Sequence, residues 1–151
     1  MPKSEIEGYY KCCKCGVDKP LSEYHRVSRP TFTSPSQFHV SMCKPCKCEK
    51  DRQLGVIRRA RNKALVFSHY GRACSCCGED EQRFLTMDHE LGDGAAHRKV
   101  IGGAGPKLYA WLVKHNFPAG FRVLCWNCNS STCNGGVCPH EEARRTAVAA
   151  A

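Results

Sequence analysis

The spacing of its cysteines constrains what this chain can fold into more than any other feature does. Eight of its 13 cysteines form four pairs with the spacing C-x2-C, namely Cys12/Cys15, Cys43/Cys46, Cys74/Cys77 and Cys125/Cys128. A pair with this spacing can grip a zinc ion from one tight turn, and two pairs complete a tetrahedral site. The pattern therefore predicts two structural zinc ions, one held by the first two pairs and one by the last two.

The composition favours metal-bound cysteines over disulfides. An odd number of cysteines cannot pair completely, and the N-terminus lacks the apolar stretch of a secretory signal. No run of 18 apolar residues is present, so we expect no membrane span and a cytoplasmic protein. Only 42% of the residues are hydrophobic, so no large core is available. A structural zinc contributes about 10–16 kcal/mol to the folding of small finger peptides, so we expect each module to depend on its metal.

The cysteine clusters divide the sequence into four segments. We expect a four-cysteine zinc module at residues 9–50, a basic connector helix at 51–71, a second zinc-stabilised module at 72–140 and a flexible tail at 141–151. Apolar residues recur every three or four positions between Leu54 and Phe67, and Gly71 stands where a helix commonly ends. Residues 27–41 are rich in Pro, Ser and Thr, which predicts a loop or a loose hairpin inside the first module.

Positive charge is concentrated on the connector. The chain carries a formal net charge of +9, to which the connector contributes Arg52, Arg58, Arg59, Arg61 and Lys63. Most charge runs are solvated helix surface. A run of one sign between two zinc modules favours contact with the DNA backbone, and we predict that contact here.

The second module contains two short apolar runs, residues 83–88 and 121–125, which predict β-strands. Between them, Pro106 is placed to open a helix over residues 107–115. A zinc ion that joins the third and fourth cysteine pairs would hold the strands as a hairpin, with a helix starting near Cys128. We therefore predict an α+β fold in which Asp88, His89 and Asn129 come together.

These three residues carry chemistry suited to phosphodiester hydrolysis. Carboxylate and amide oxygens are ligands that Mg²⁺ or Mn²⁺ accepts, and a neutral histidine can take a proton from an attacking water. Structural roles are the alternatives: Asp88 and His89 as a salt-bridged surface pair, and Asn129 as a helix cap. Nearby, we expect His97 to be a solvated residue at the start of a helix, the alternative being contact with a phosphate or a metal. We expect Trp126 to belong to the core, the alternative being a platform for base stacking.

The run from Phe84 to His89, followed by the run from Phe121 to Asn129, resembles the HNH endonucleases, also called ββα-metal or His-Me finger nucleases. The order C-x2-C, DH, C-x2-C-N is closest in pattern to the phage recombination endonuclease VII branch. The segment from Cys12 to Arg52 is similar to the small zinc module that accompanies many phage-type HNH proteins. The resemblance implies a small zinc-stabilised ββα-metal core, treble-clef-like, preceded by a four-cysteine zinc module and a basic connector helix.

The resemblance also implies roles for individual residues. His89 would be the general base, and Asp88 and Asn129 would be ligands of a catalytic Mg²⁺ or Mn²⁺. The chain departs from the family where an asparagine is expected about five residues before Cys125, because Gly120 stands there. The His89 imidazole must then be oriented by another group, either a backbone carbonyl or Asn116.

The expected function is metal-dependent cleavage of double-stranded DNA, in a phage-encoded protein or one of a bacterial host. A role in phage or prophage packaging or recombination, with packaging proteins as partners, comes first. A restriction-type site-specific nuclease or a branched-DNA resolvase follows. Cutting both strands with one site per chain favours a homodimer. The rival interpretations are a non-catalytic zinc-finger DNA-binding protein and, less favoured, an RNA-binding zinc ribbon.

A third zinc site is a further candidate, with Cys133, Cys138 and His140 as its ligands. The alternative is that this segment is a tail packed against the second module.

Overall fold

The computed structural model describes residues 5–26, 39–132 and 136–149. Within these ranges the chain is a mixed α+β protein with three small sheets, each of two antiparallel strands. Its contacts divide it into two compact units, Met1–Ile57 and Arg58–Ala151. Most of the loop predicted at residues 27–41 lies outside the described residues.

The first unit is built from two short strand pairs. β1 (Tyr9–Lys11) pairs with β2 (Asp18–Pro20), and β3 (Tyr24–Arg26) pairs with β4 (His39–Cys43). The buried hydrophobic residues in the described part of this unit are Cys12, Tyr24 and Cys43. Because two of these three are cysteines, apolar burial alone gives this unit little stability.

Helix α1 (Lys44–Tyr70) contains the helix predicted for the connector and begins earlier, directly after Cys43. Cys46 therefore lies in its first turn. The helix ends where expected, because Gly71 adopts a positive φ of 123° that other residues rarely reach. The division between the two units falls within this helix, after Ile57.

The second unit is a two-stranded sheet with helices around it. β5 (Leu85–His89) pairs in antiparallel register with β6 (Phe121–Cys125), so that His89 lies opposite Phe121 and Leu85 opposite Cys125. The other elements of this unit are helices, namely α2 (Gly94–Ile101), α3 (Pro106–Lys114), α4 (Trp126–Thr132) and α5 (Pro139–Ala149).

The core of the second unit forms where β5, β6 and α3 meet the end of α1. Phe67 and Leu112 are fully buried in it, together with Val66, Leu108, Val123 and Leu124. Along β5 the buried residues alternate, with Leu85, Met87 and His89 facing inward. This alternation is the pattern of a strand with one covered face, and it carries the His89 ring inward with the apolar side chains.

Several predicted elements of this unit are present with small shifts. The strand predicted at residues 83–88 is observed at Leu85–His89, the strand at 121–125 is observed with those bounds, and the helix predicted at 107–115 is α3. Helix α2 lies where His97 was expected to start a helix, but it begins three residues earlier, at Gly94.

The predicted flexible tail, residues 141–151, is helical over most of its length, as part of α5. Pro139 opens this helix and Glu141 and Glu142 lie in its first turn, where acidic side chains interact favourably with the helix dipole. Arg144 of α5 donates a hydrogen bond to the backbone carbonyl of Cys76, at 2.7 Å. The described part of the chain contains no helix that is both long and apolar enough to cross a membrane.

Leu112→Ala should lower the free energy of unfolding of the second unit by about 2–5 kcal/mol, because it leaves a cavity in the core. The matched control is Leu91→Ala, at a leucine that is 86% exposed, which should change it by less than about 0.5 kcal/mol. Both tryptophans lie in this unit, so urea unfolding followed by tryptophan fluorescence reports on it. Equal destabilisation by the two substitutions would contradict the described core.

Candidate metal centres and candidate active site

The first two C-x2-C pairs converge in the first unit. The sulfur atoms of Cys12, Cys15, Cys43 and Cys46 all lie within 4.8 Å of one another, with Cys15 and Cys43 at 4.0 Å. A zinc ion with Zn–S bonds of about 2.3 Å sets tetrahedral S–S separations of about 3.8 Å, so this group could hold zinc. The turn at the first pair closes through Gly16, whose φ is 71° and whose N–H donates to the Cys12 carbonyl.

Backbone donors prepare this group for a cation. The N–H groups of Lys14 and Cys43 point at the Cys12 sulfur, at 3.4 and 3.3 Å. Burial opposes ionisation of Cys12, but hydrogen bonds from the backbone outweigh it and lower the pKa of the thiol to about 6. Its neighbour Cys46 has its pKa raised to about 12, chiefly by its hydrogen bond to Cys43. A divalent cation would allow all four sulfurs to ionise.

The second set of four cysteines repeats this arrangement in the second unit. The sulfur atoms of Cys74, Cys77, Cys125 and Cys128 lie within 4.8 Å of one another, with Cys77 and Cys125 at 3.7 Å. Gly78, with a φ of 80°, closes the turn by donating to the Cys74 carbonyl. Burial opposes ionisation of Cys74, but backbone hydrogen bonds lower its pKa to about 6. Both predicted sets of cysteines therefore come together in a geometry that could hold zinc.

The cysteines outside these sets differ from one another. Cys13 and Cys48 are exposed. Cys133, predicted with Cys138 and His140 as a third zinc site, lies outside the described residues. Cys138 and His140 instead approach Cys76 and Cys128.

Asp88, His89 and Asn129 line one cleft of about 510 Å³, which we call the His89 cleft. Asp88 and His89 end β5, while Asn129 lies on α4, which continues directly from the paired strand β6. Gly94 and Arg98 of α2 also line the His89 cleft. The structure thus places the three predicted residues together.

Arg122, which no sequence motif indicated, holds the Asp88 carboxylate. Arg122 lies opposite Asp88 in the β5–β6 register and its Nε donates to Asp88 Oδ2 at 2.8 Å. The Asp88 side chain is 17% exposed, so the pair is partly shielded from water. This ion pair orients the carboxylate. It also gives Oδ2 of Asp88 a partner when no metal is bound.

Asp88 and Asn129 could each offer an oxygen to a hard divalent cation. Mg²⁺ commonly accepts one or two protein carboxylate or carbonyl oxygens while keeping water or phosphate ligands. Among the described residues, no group of three or more Asp, Glu, His or Cys side chains with ligand atoms within 4.8 Å of one another includes Asp88 or His89. A cation held here would therefore take most of its ligands from water or a phosphate.

His89 is only 8% exposed. Its Nε2 lies 2.8 Å from Nδ1 of His97, and its ring packs 4.7 Å from that of Phe121. A Cβ added at Gly94 would lie 3.0 Å from its Nδ1, so only glycine leaves room beside that nitrogen. Burial lowers the pKa of His89, against an opposing effect of Asp93, so the ring is neutral at pH 7.

The prediction for His97 was wrong. His97 is half-buried in α2, its ring meets that of Trp111 edge to face at 4.3 Å, and its buried Nε2 has no hydrogen-bond partner among the residues that the structure describes. The group that contacts Nε2 of His89 is therefore His97, instead of Asn116 or a backbone carbonyl. A second histidine eight positions after His89 was the only sequence signal, and it was uninformative without α2.

Helix α4 decides two predictions, the role of Asn129 as a helix cap and the place of Trp126 in the core. Asn129 is the fourth residue of α4, which starts at Trp126, so Asn129 does not cap the helix. Trp126, expected in the core, is 65% exposed, and it lines a second cavity of about 260 Å³ that also contains His89 and Asn129. Cys128 turns inward on the same short helix, which leaves the indole outside.

The basic residues predicted to contact DNA are all on α1, but they are not equivalent. Arg52 pairs with Glu49 at 2.6 Å, and Lys63 donates to the Gln82 carbonyl at 3.0 Å. Arg58, Arg59 and Arg61 are exposed and have no ion-pair partner in the described part of the chain. In addition, Arg98 is exposed at the His89 cleft.

No protein-family model, curated protein or solved structure matches this chain.

Cys43→Ser should remove zinc from the first unit and unfold it, because the described part of this unit has only a minimal apolar core. We expect one zinc fewer per chain by elemental analysis, and loss of dispersed amide NMR signals from residues 9–26. Cys48→Ser, at an exposed cysteine outside the group, should change neither quantity. A folded first unit in the Cys43 variant, at unchanged zinc content, would show that these sulfurs are not ligands.

Proposed function

We propose that this protein is a metal-dependent endonuclease of the HNH, or ββα-metal, type that hydrolyses phosphodiester bonds of double-stranded DNA. The observation that carries the proposal is that the β5–β6 pair and α4 place Asp88, His89 and Asn129 on one cleft. Beside it stands a group of four cysteines that could hold structural zinc. The phage-type resemblance in sequence, closest to the recombination endonuclease VII branch, independently favours the same three residues.

In this proposal, Asp88 and Asn129 hold a Mg²⁺ or Mn²⁺ ion. When bound, such an ion acts as a Lewis acid that stabilises charge on the scissile phosphate and the leaving 3′ oxygen. Arg122 keeps the Asp88 carboxylate in place through its 2.8 Å contact. The exposed Arg98 is positioned to meet a phosphate that enters the cleft.

His89 is the proposed general base, and its surroundings favour one nitrogen for this role. Nε2 is occupied by His97, so Nδ1, beside Gly94, is the nitrogen that takes the proton from water. In that tautomer Nε2 carries a hydrogen and donates it to Nδ1 of His97. Because burial keeps the ring neutral at pH 7, it is in the form that a base requires.

The substrate class follows from charge and exposed surface. The formal net charge is +9, and Arg58, Arg59 and Arg61 of α1 are free to contact phosphates. Phosphate contacts supply affinity and position, without sequence information. The exposed Trp126 beside the candidate site offers an apolar contact for a sugar or base. A homodimer would supply two sites for cutting two strands, in packaging, recombination or restriction.

A non-catalytic zinc-finger DNA-binding protein is the second candidate. The Asp88–Arg122 ion pair favours it, because the pair gives the carboxylate a structural role without any metal. Both candidates require zinc and bind DNA, so only cleavage distinguishes them.

His89→Ala should reduce cleavage by about 10²–10⁴-fold, the usual contribution of a general base. The measurement is conversion of supercoiled plasmid to nicked and linear forms in Mg²⁺ or Mn²⁺. The control is His25→Ala, which alters an exposed histidine of the first unit and should cut like the wild type. Retained binding of His89→Ala to the same DNA in a gel-shift assay shows that the protein is folded.

Equal nicking by the wild type and His89→Ala would refute the assignment of His89 as the general base. Absence of nicking by the wild type in either metal, with DNA binding intact, would favour the zinc-finger candidate.

His97→Ala should lower kcat by about 10–100-fold and leave KM unchanged, the usual cost of removing the partner that orients a functional histidine. His97→Gln should restore much of the rate, because its amide oxygen can accept the hydrogen bond from His89. A purely structural role predicts instead that both variants lose stability together and that Gln gives no rescue of kcat.

A further inference from the structure

We propose that Cys76, Cys128, Cys138 and His140 hold a third zinc ion, and that the Cys128 sulfur bridges it to the zinc ion of Cys74, Cys77 and Cys125. The second unit would then contain a two-zinc thiolate cluster. This inference is independent of the proposed nuclease activity.

The distances among the four side chains match a tetrahedral zinc site. Sγ of Cys76 lies 3.5 Å from Sγ of Cys138, and Nδ1 of His140 lies 3.4 Å from Cys138 Sγ and 3.5 Å from Cys128 Sγ. Zn–S bonds of about 2.3 Å and Zn–N bonds of about 2.0–2.1 Å set separations of about 3.8 Å between two sulfurs and about 3.5 Å between sulfur and nitrogen. All four ligand atoms lie within 4.8 Å of one another.

Hydrogen bonding alone explains this convergence poorly. Cys128 and Cys138 are almost completely buried, and a thiol is a weak donor and a weak acceptor. The single Nδ1 of His140 approaches both sulfurs, although it can donate at most one hydrogen. A cation at the centre would give all four groups a common partner.

Cys128 belongs to both four-residue groups, which is the basis for the bridge. Seven side chains are available for two zinc ions, and each ion reaches four ligands only if one sulfur is shared. Both sites would then be closed, as in structural zinc sites. The thiolates of Cys74, Cys76, Cys77, Cys125, Cys128 and Cys138 with two Zn²⁺ ions would carry a net charge of about −2.

The surroundings compensate part of that charge. Arg144 of α5 approaches Cys76 twice, with Nη2 at 3.5 Å from its sulfur and Nη1 at 2.7 Å from its carbonyl oxygen. Cys138 and His140 flank Pro139, the first residue of α5. The cluster would therefore fasten α5, a helix with no buried residues of its own, to the turn at Cys76 and to α4.

The test is reconstitution of the full wild-type chain with ¹¹³Cd²⁺, followed by ¹¹³Cd NMR. We expect three resonances, of which two are split by scalar coupling between the two cadmium ions through the shared sulfur. A spectrum without a coupled pair overturns the bridge, whatever the total number of ions. The measurement uses no DNA, so a failure of the nuclease proposal would leave it unaffected.

Variants separate the third site from the others. Cys138→Ser should reduce the zinc content by one ion per chain and abolish the coupled pair, whereas Cys48→Ser should preserve both. Cys43→Ser, which alters only the first unit, should also preserve the coupled pair. An unchanged zinc content and coupled pair in Cys138→Ser would overturn the proposed site, and the wild-type spectrum decides the matter if that variant does not fold.

Discussion

Both units of this structure are organised around converging cysteine sulfurs. Among its described residues, the first unit buries Cys12, Tyr24 and Cys43 as a hydrophobic cluster, so two of these three core residues are also candidate ligands. The second unit has a larger apolar core, yet Cys74, Cys125 and Cys128 are part of it. Ordering each residue costs about 1.5 kcal/mol, which short strand pairs of this kind do not recover from apolar burial alone.

The geometry of the candidate active site depends on the second group of cysteines, which includes Cys125 and Cys128. Cys125 ends β6 and Cys128 lies on α4, so the turn between them fixes the angle at which the helix leaves the strand. Asn129 follows Cys128, and His89 lies opposite the start of β6. If these cysteines hold a zinc ion, that ion also fixes the separation between the proposed base and the proposed ligand of the catalytic ion. If the cluster contains two zinc ions, the shared Cys128 increases that rigidity.

The sequence predicted the parts of the fold that depend on local spacing. The C-x2-C turns, the end of α1 at Gly71 and the helix that follows Pro106 are set by short-range patterns. Partners set by tertiary pairing were missed. Arg122 meets Asp88 only because of the strand register, and His97 meets His89 only because α2 folds back over the strand end.

Two misjudged positions share a physical reason. The position of Trp126 between two paired cysteines predicted a core residue, but the inward direction of Cys128 on a seven-residue helix leaves the indole 65% exposed. The tail shows no apolar face in its sequence, so it was predicted to be flexible. Helix α5 is instead held by a polar contact from Arg144, and Cys138 and His140 approach the sulfur atoms of Cys76 and Cys128. Residue type and periodicity carry no information about such contacts.

The proposal that the His89 cleft cuts DNA with a metal held by Asp88 and Asn129 can be tested at Asn129. Asn129→Asp and Asn129→Ala are compared for cleavage of an end-labelled duplex across a titration of Mg²⁺ and Mn²⁺. We expect Asn129→Asp, which keeps a ligand oxygen, to retain cleavage with a changed metal dependence, and Asn129→Ala to lose cleavage at every metal concentration. If Asn129→Ala cuts like the wild type with the same metal dependence, Asn129 does not hold the catalytic ion and the proposed site is wrong.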